Sequence, residues 1–485
     1  MAGFDIVALI MDRSINGPHV ARLLGDWRSS RPDYVSLAAT LRLLILDGRL
    51  PLRTRLPGER GLAAALGTSR TTTAAAYAAL RDEGFLASRR GSGSWTRVPA
   101  DRTATPPAPE PGDAELDLSC AATSAPEGAL HRALAAATAA LPRHLPGPGY
   151  DALGLPVLRS AIAEHLTRRG APTSPEDVLV TAGAQHALAL LLRVLAGPGD
   201  RVLVDHPTYP NALGAIQAVG ARPVPVALRP DGWDLEMLAA TLRHSAPRLA
   251  YVIADHHNPT GLTLPDDERE RLIALAQATR TPLVVDETLA ELTLDDDAPV
   301  PAPLAAHGDV IAIGSMSKAF WAGLRIGWIR ASPTLVRRLA LARATVDLSS
   351  PVLEQLIAAE LLADPEAVLS RRRASLRARR DALAAAVRSA LPGWRFSLPH
   401  GGLSLWIELE APRSSALAAV ASRHGLRLAA GPRFGVDGAF EGFLRLPYTL
   451  TEPQLTDVVE RLAVAWRAVA PDHGRQRDDA PALVA

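Results

Sequence analysis

The sequence predicts a multidomain protein: a small, mainly α-helical winged helix-turn-helix module over residues 1–97, joined through a linker at 98–115 to a larger α/β body at 116–470. Three observations carry this. Residues 1–100 hold 14 arginines against eight acidic residues, whereas the rest of the chain holds 38 basic and 43 acidic residues. The stretch 98–115 is dense in proline, alanine and acid without a periodic apolar pattern, and it lies where the charge changes sign. Beyond it, short β-rich apolar runs alternate with helical periodicity, as in a sheet built by crossovers.

The bulk numbers exclude several classes. At 485 residues, 48% hydrophobic and 21% charged, the chain reads as globular and long enough to bury a large core. Cys120 is the only cysteine, which rules out an intrachain disulfide and a cysteine-based zinc site, and no metal site is expected. Residues 4–11 are too short, contain Asp5 and lack a basic flank, so they do not read as a signal peptide. No apolar run reaches the roughly 20 residues that would span a bilayer. A reducing cytoplasm is the expected location. Residues 471–485 read as a loose polar tail, and no internal repeat is visible.

In the first module, residues 35–46 place Leu37, Leu41, Leu44 and Ile45 at helical spacing and stop at Gly48. A short helix at 59–66 follows, with Leu62, Ala65 and Leu66 expected inward. Gly67 makes a turn, Ser69 is a natural N-cap, and a third helix runs to about Glu83 with Ala76, Tyr77 and Leu80 inward. Two short extended runs around a glycine-rich tip then span residues 85–95. Helix, helix, tight turn, helix and β-wing is the winged helix-turn-helix order.

In the body, four apolar runs matter most: 201–204, 249–254, 282–285 and 310–313, each followed closely by polar residues. Open α/β sheets bind ligands at the carboxyl ends of their strands. Those ends nominate one pocket near Tyr209, Asn258, Asp286 and Lys318.

Lys318 is the only lysine among 52 lysine and arginine residues. Arginine serves for solubility, ion pairs and phosphate contacts, but it does not give up its proton and cannot attack a carbonyl as a neutral amine. A lone lysine in such a chain either survives by chance or does amine chemistry, with a Schiff base as the leading candidate.

The neighbourhood decides. Gly314-Ser315-Met316-Ser317-Lys318, followed by Gly323-Leu324-Arg325-Ile326-Gly327, resembles the lysine segment of fold-type-I aminotransferases, and the resemblance covers roughly residues 116–470. It implies a large, mostly parallel mixed sheet with a smaller C-terminal α/β subdomain, and pyridoxal 5'-phosphate held by Lys318 as a Schiff base. Ser315 and Arg325 then match the phosphate ligands, suiting a dianion that wants a forked cation and a hydroxyl. Asp286 matches the partner of the pyridine nitrogen, Asn258 the donor to the ring hydroxyl, and Tyr209 the stacking aromatic. Ala184 and Gln185, after Gly183, match the phosphate cradle at a helix N-terminus. Tyr150 resembles the tyrosine that reaches the neighbouring subunit's phosphate, implying a dimer, and Arg445 the arginine that clamps a substrate carboxylate. One departure stands out. The family usually has a tyrosine shortly after the aspartate, and here Glu287, Thr288 and Leu289 follow. Loss of that phenol is expected to alter the imine pKa and slow transamination, with Thr288 as a partial substitute.

Residues 32–97 resemble the GntR-type winged helix through Arg55-Leu56-Pro57, Leu66-Gly67-Thr68-Ser69-Arg70-Thr71-Thr72 and Arg90-Gly91-Ser92-Gly93. The resemblance implies double-stranded DNA contacts from Arg60, from Ser69, Arg70, Thr71 and Thr72 at the start of the recognition helix, and from Arg89, Arg90 and Gly93 in the wing. The whole chain is similar to the MocR family of bacterial transcription regulators. That similarity implies a head-to-tail homodimer sensing pyridoxal phosphate, or its imine with an amine or amino acid. The alternative is a working aminotransferase whose first module only assists assembly. The basic run from Arg371 to Arg380 is read as a solvated or ion-paired helix face rather than a DNA contact.

Overall fold

The computed structural model describes residues 13–469 except 26, 29–31, 47–48, 51–53, 90–92, 98–114 and 299. Arg90, most of the 98–115 linker and the 471–485 tail therefore lie outside the described residues, as does the Arg89 side chain.

The N-terminal module packs helices Gly17–Leu24, Asp33–Leu46, Glu59–Leu66 and Arg70–Asp82 against a small sheet whose hairpin is Leu86–Arg89 with Gly93–Thr96. Val20, Leu37, Leu41, Leu44, Leu62, Tyr77, Leu80 and Phe85 form its core. The expected inward set of the short helix shifts by part of a turn: Leu62 and Ala63 are buried, while Ala65 and Leu66 are half-buried. Helix Gly17–Leu24 approaches closely at Gly17: a Cβ there would lie 2.7 Å from Gly61 O and 3.1 Å from Ala65 Cβ. Gly67 ends the short helix at φ 59°, left-handed backbone that favours glycine.

The body centres on an eight-stranded mixed sheet in the order Val178–Thr181, Gly327–Arg330, Ile311–Ser315, Leu283–Asp286, Leu249–Val252, Arg201–His206, Arg222–Arg229, Gly232–Trp233. The four apolar runs singled out in the sequence are its four adjacent central strands, mutually parallel. Only Gly327–Arg330 and Gly232–Trp233 run antiparallel to their neighbours. Strands Leu249–Val252 and Leu283–Asp286 are buried at every position, because helices cover both faces. All four central carboxyl ends open to the same side.

A smaller subdomain follows the 25-residue helix Glu366–Ala390. Its sheet orders Ser404–Glu408, Phe443–Pro447 and Ala429–Ala430 antiparallel, covered by helices Ser414–Ala421 and Glu452–Val469. Strand Leu116–Asp117 pairs with Leu426–Arg427, so the chain enters the body through the small subdomain before building the large one. No described helix is long and apolar enough to cross a membrane, and no group of metal-ligating side chains occurs among the described residues.

Candidate functional site

A cavity of about 420 Å³ opens at the carboxyl ends of the central strands, between the two parts of the body. Ten residues nominated from sequence line it together: Ala184, Gln185, Tyr209, Asn258, Asp286, Thr288, Ser315, Lys318, Arg325 and Arg445. Tyr150 does not; it stands 70% exposed on the outside of the chain.

Lys318 lies on a π-helical turn, Ser317–Trp321, directly after strand Ile311–Ser315. Such turns recur at functional sites because they redirect one side chain out of the regular ladder. Lys318 Nζ donates to Ala121 O at 2.6 Å. Burial pushes the amine pKa below the ordinary lysine value; Cys120 and Asp286 oppose this, and Arg445 and Arg325 reinforce it. The lowered pKa enlarges the neutral fraction that a nucleophilic amine needs.

One corner is built for an anion. Ser315 Oγ lies 2.9 Å from Ser317 Oγ and accepts from Ser317 N at 3.1 Å. Arg325, at φ 52°, lays its guanidinium against the start of helix Ala184–Leu195 and donates to Ala182 O at 2.8 Å. The glycines here are steric necessities. A Cβ on Gly183 would fall 2.8 Å from Arg325 Nη2, and one on Gly327 would fall 2.7 Å from the Gly183 carbonyl carbon.

At the opposite end, Asp286 closes its strand with the side chain nearly buried. Its Oδ1 accepts from Thr288 N at 3.0 Å and its Oδ2 from the phenol of Tyr251 at 2.7 Å. Tyr209 precedes helix Pro210–Ala218, and its hydroxyl accepts from Asn211 Nδ2 at 2.9 Å. Thr288 and Leu289, which follow Asp286 where the family usually has a tyrosine, both line the cavity.

Arg445 forms the far wall, 5% exposed, with its guanidinium 5.0 Å from the Phe434 ring centroid. It donates to Ser119 O at 2.5 Å and to Asn258 Oδ1 at 3.4 Å. Burial pushes its pKa down to about 10, which still leaves it charged at neutral pH. Cys120, Arg433 and Phe434 also line the cavity and were not nominated. No local motif marks them; they arrive through the small subdomain.

The segment 431–441 connects this cavity to the N-terminal module. Phe434 O accepts from Thr208 N at 2.9 Å, and Val436 N donates to His206 Nε2 at 3.0 Å. Further along, Glu441 pairs with Arg49 at 3.5 Å, and Arg49 lies so close over Gly438 that a Cβ there would come within 2.5 Å of its Nε.

On the N-terminal module, Ser69 Oγ caps helix Arg70–Asp82 by accepting from Thr72 N at 2.9 Å. Arg60, Arg70 and Thr71 are exposed and Thr72 is half-buried around this helix start. Among the described residues Arg70 has one ion-pair partner, Glu59, at a long 3.6 Å. Gly93 takes φ 114°, and a Cβ there would strike Arg55 Nε at 2.8 Å.

Fold and site together define a class: a winged DNA-reading module fused to a body of the fold-type-I aminotransferase kind. Residues 133–462 match the family Aminotransferase class I and II, and residues 33–95 match Bacterial regulatory proteins, gntR family. The HTH-type transcriptional regulator TauR of Rhodobacter capsulatus is 31% identical over 463 residues, covering 87% of this chain and 94% of its own. The probable rhizopine catabolism regulatory protein MocR of Rhizobium meliloti is 34% identical over 340 residues, 64% of this chain and 68% of its own. Among solved structures, LysN, an α-aminoadipate aminotransferase from Thermus thermophilus complexed with N-(5'-phosphopyridoxyl)-L-leucine, superposes with a TM-score of 0.68 at 28% identity, covering 74% of this chain and 93% of that one. The chain belongs to the aminotransferase class I and II family and carries a gntR-family module at its N-terminus, the MocR-type arrangement.

Pyridoxal phosphate is the coenzyme of this family, and the cavity fits it. Besides the amine, the anion corner and the carboxylate, four buried polar atoms of lining residues have no hydrogen-bond partner among the described residues: Gln185 Oε1, His257 Nε2, Thr288 Oγ1 and Arg445 Nε. Buried orphans of this kind are rare and call for a ligand or water.

Proposed function

We propose that the chain is a transcription regulator whose DNA-binding state is set by what occupies the coenzyme cavity, the effector being an α-amino acid. Bound coenzyme supplies an aldehyde carbon for imine exchange and an electron-accepting ring. Lys318 provides the amine, Ser315, Arg325 and the amides at Ala184 and Gln185 hold the phosphate, and Asp286 holds the ring nitrogen. Tyr209 stacks on the ring, and Asn258 orients its hydroxyl. Arg445 takes the carboxylate of the effector, which is what separates an amino acid from a simple amine.

The observation that carries this reading is the 431–441 segment. It contributes Arg433 and Phe434 to the cavity and holds Arg49 of the DNA-reading module through Glu441. An effector shifts a two-state protein only by binding one state better. A carboxylate on Arg445 acts beside Phe434, at one end of a segment whose other end touches the reader.

The reader addresses double-stranded DNA through Arg60 and through Ser69, Arg70, Thr71 and Thr72, with Arg89, Arg90 and Gly93 at the wing. A head-to-tail homodimer brings two readers to paired half-sites, with Tyr150 reaching the second copy's phosphate. The exposure of Tyr150 at 70% and Leu145 at 67% supports such a covering partner. Action on chromosomal DNA fits the cytoplasm.

The test is fluorescence anisotropy of the protein on its own upstream region, titrated with single amino acids and with their decarboxylated amines. One or a few amino acids are expected to move DNA affinity at least fivefold, with no response in Lys318→Ala. Steady multiple turnover against a keto acid, with DNA affinity indifferent to every ligand, would overturn the regulatory reading in favour of an enzyme.

A further inference from the structure

A second cavity, of about 270 Å³, lies between the start of helix Glu127–Ala140 and one face of the long helix Glu366–Ala390. Four arginines line it: Arg132, Arg371, Arg372 and Arg379. None of the four has a carboxylate within ion-pair distance among the described residues, although Glu127 also lines the rim. Their neighbours on the same helix contrast with them. Arg373 pairs with Glu366 at 2.9 Å, Arg377 with Asp296 at 2.5 Å and Arg380 with Asp295 at 2.7 Å.

Four guanidiniums around so small a space repel one another; Arg372 and Arg379 are half-buried in the recess, and Arg132 and Arg371 stand exposed at its rim. Arg372 shows the strain most clearly. Its Nη2 donates to Ser124 O at 2.9 Å and to Phe320 O at 2.7 Å, while its Nε is buried without a partner. Burial and the charge of Arg379 push its pKa down to about 10. Arg371 bonds nothing among the described residues, and Arg379 reaches only Thr449 O, at 3.0 Å.

We propose that this cavity is a second ligand site, taking a small phosphate-bearing anion, and that it is distinct from the coenzyme cavity. Several forked cations converging on one recess match an oxyanion with three or more acceptor oxygens better than a single carboxylate. Ser124 and Ser375 add hydroxyls to the lining. The recess favours a small molecule over duplex DNA, since Arg372 points inward to main-chain carbonyls.

The position has a functional consequence. Phe320 follows Lys318 by two residues, and Ser124 follows Ala121, the acceptor of Lys318 Nζ. An anion that draws on Arg372 therefore pulls on two segments that wall the coenzyme cavity. This site stands on its own geometry and does not rest on the regulatory reading.

The experiment is isothermal titration of inorganic phosphate, and separately of glycerol phosphate, into coenzyme-saturated protein in a phosphate-free buffer. One saturable site per chain is expected, weakened at least tenfold in Arg371→Ala and in Arg379→Ala but not in Arg338→Ala, an exposed arginine elsewhere. Arg371 is exposed and makes no hydrogen bond or ion pair among the described residues, so that variant is expected to keep the fold; unchanged coenzyme absorbance checks it. Absence of a saturable site, or equal weakening in all three variants, overturns the proposal. Loss of self-association in Arg371→Ala without loss of phosphate binding overturns it too, and assigns the arginines to a second copy. A drop in duplex-DNA affinity alone does the same in favour of DNA.

Discussion

The phenol of Tyr251 donates to Asp286 Oδ2 at 2.7 Å from the neighbouring strand, beneath the floor of the coenzyme cavity. Both residues are buried, and Thr288 N supplies the second donor to the same carboxylate. With a donor on each oxygen, the orientation of the Asp286 carboxylate is fixed. In the proposed reading that is the group set against the ring nitrogen.

Tyr251→Phe removes one donor and keeps the ring that fills the core. A hydrogen bond to a charged group contributes about 1.5–3 kcal/mol, and its loss leaves the Asp286 carboxylate less firmly held beside the coenzyme. Coenzyme should bind the variant roughly tenfold or more weakly. Titration of the coenzyme-free protein, followed by absorbance, reads this directly, and a superimposable binding curve would count against the assigned role.

Arg445→Ala should weaken amino-acid effectors by roughly ten- to a hundredfold, on the order of 1.4–3 kcal/mol. Binding of the decarboxylated amines and of coenzyme itself should change little. The informative quantity is the ratio of amino acid to amine affinity, which should collapse towards one. A ratio that survives the substitution would place the carboxylate elsewhere.

Glu287 is buried, accepts from Leu304 N at 2.8 Å, and has its pKa pushed up to about 7 by burial and by the charge of Asp255. The folded chain therefore binds this proton more tightly than the unfolded chain. The resulting stability is fully present below about pH 4.5 and is lost as pH rises through about 7. Glu287→Gln stays neutral throughout. Relative to wild type it should gain stability between pH 5 and pH 8, on the order of 2–3 kcal/mol. Urea unfolding at the two pH values tests this; a constant difference between the proteins would refute it.

Arg70→Ala should lower DNA affinity and leave coenzyme binding intact. If Arg70 reads a base edge, the loss is about 1–3 kcal/mol and confined to one position of the operator. If it contacts phosphate, the loss spreads over all sequences and the salt slope falls by about one. Unaltered binding to every duplex would remove Arg70 from the interface.

Much of the coenzyme site was legible because its chemistry demands particular residues at short spacing. Lys318, Ser315 and Arg325 sit within eleven positions of one another, and Asp286 closes a strand that reads as apolar up to its last residue. Tyr251 was not legible. In the run Leu249–Val252 it looks like one more core residue, and only the register pairing it beside Val284 brings it to Asp286. Cys120, Arg433 and Phe434 were missed for the same reason: the small subdomain folds them over the cavity from far along the chain. The basic run at 371–380 reads as a solvated or ion-paired face. The helical period divides it: Arg373, Arg377 and Arg380 pair with acids as expected, and Arg371, Arg372 and Arg379 line the second cavity.

The solitary lysine has one more implication. Lys318 is recessed in the cavity wall with its amine bonded to Ala121 O, so apart from the α-amino group the chain offers passing reagents no other primary amine. Acyl donors and reducing sugars that decorate lysine on ordinary surfaces find no lysine outside. Among side-chain amines, competition for aldehydes is settled at a single address.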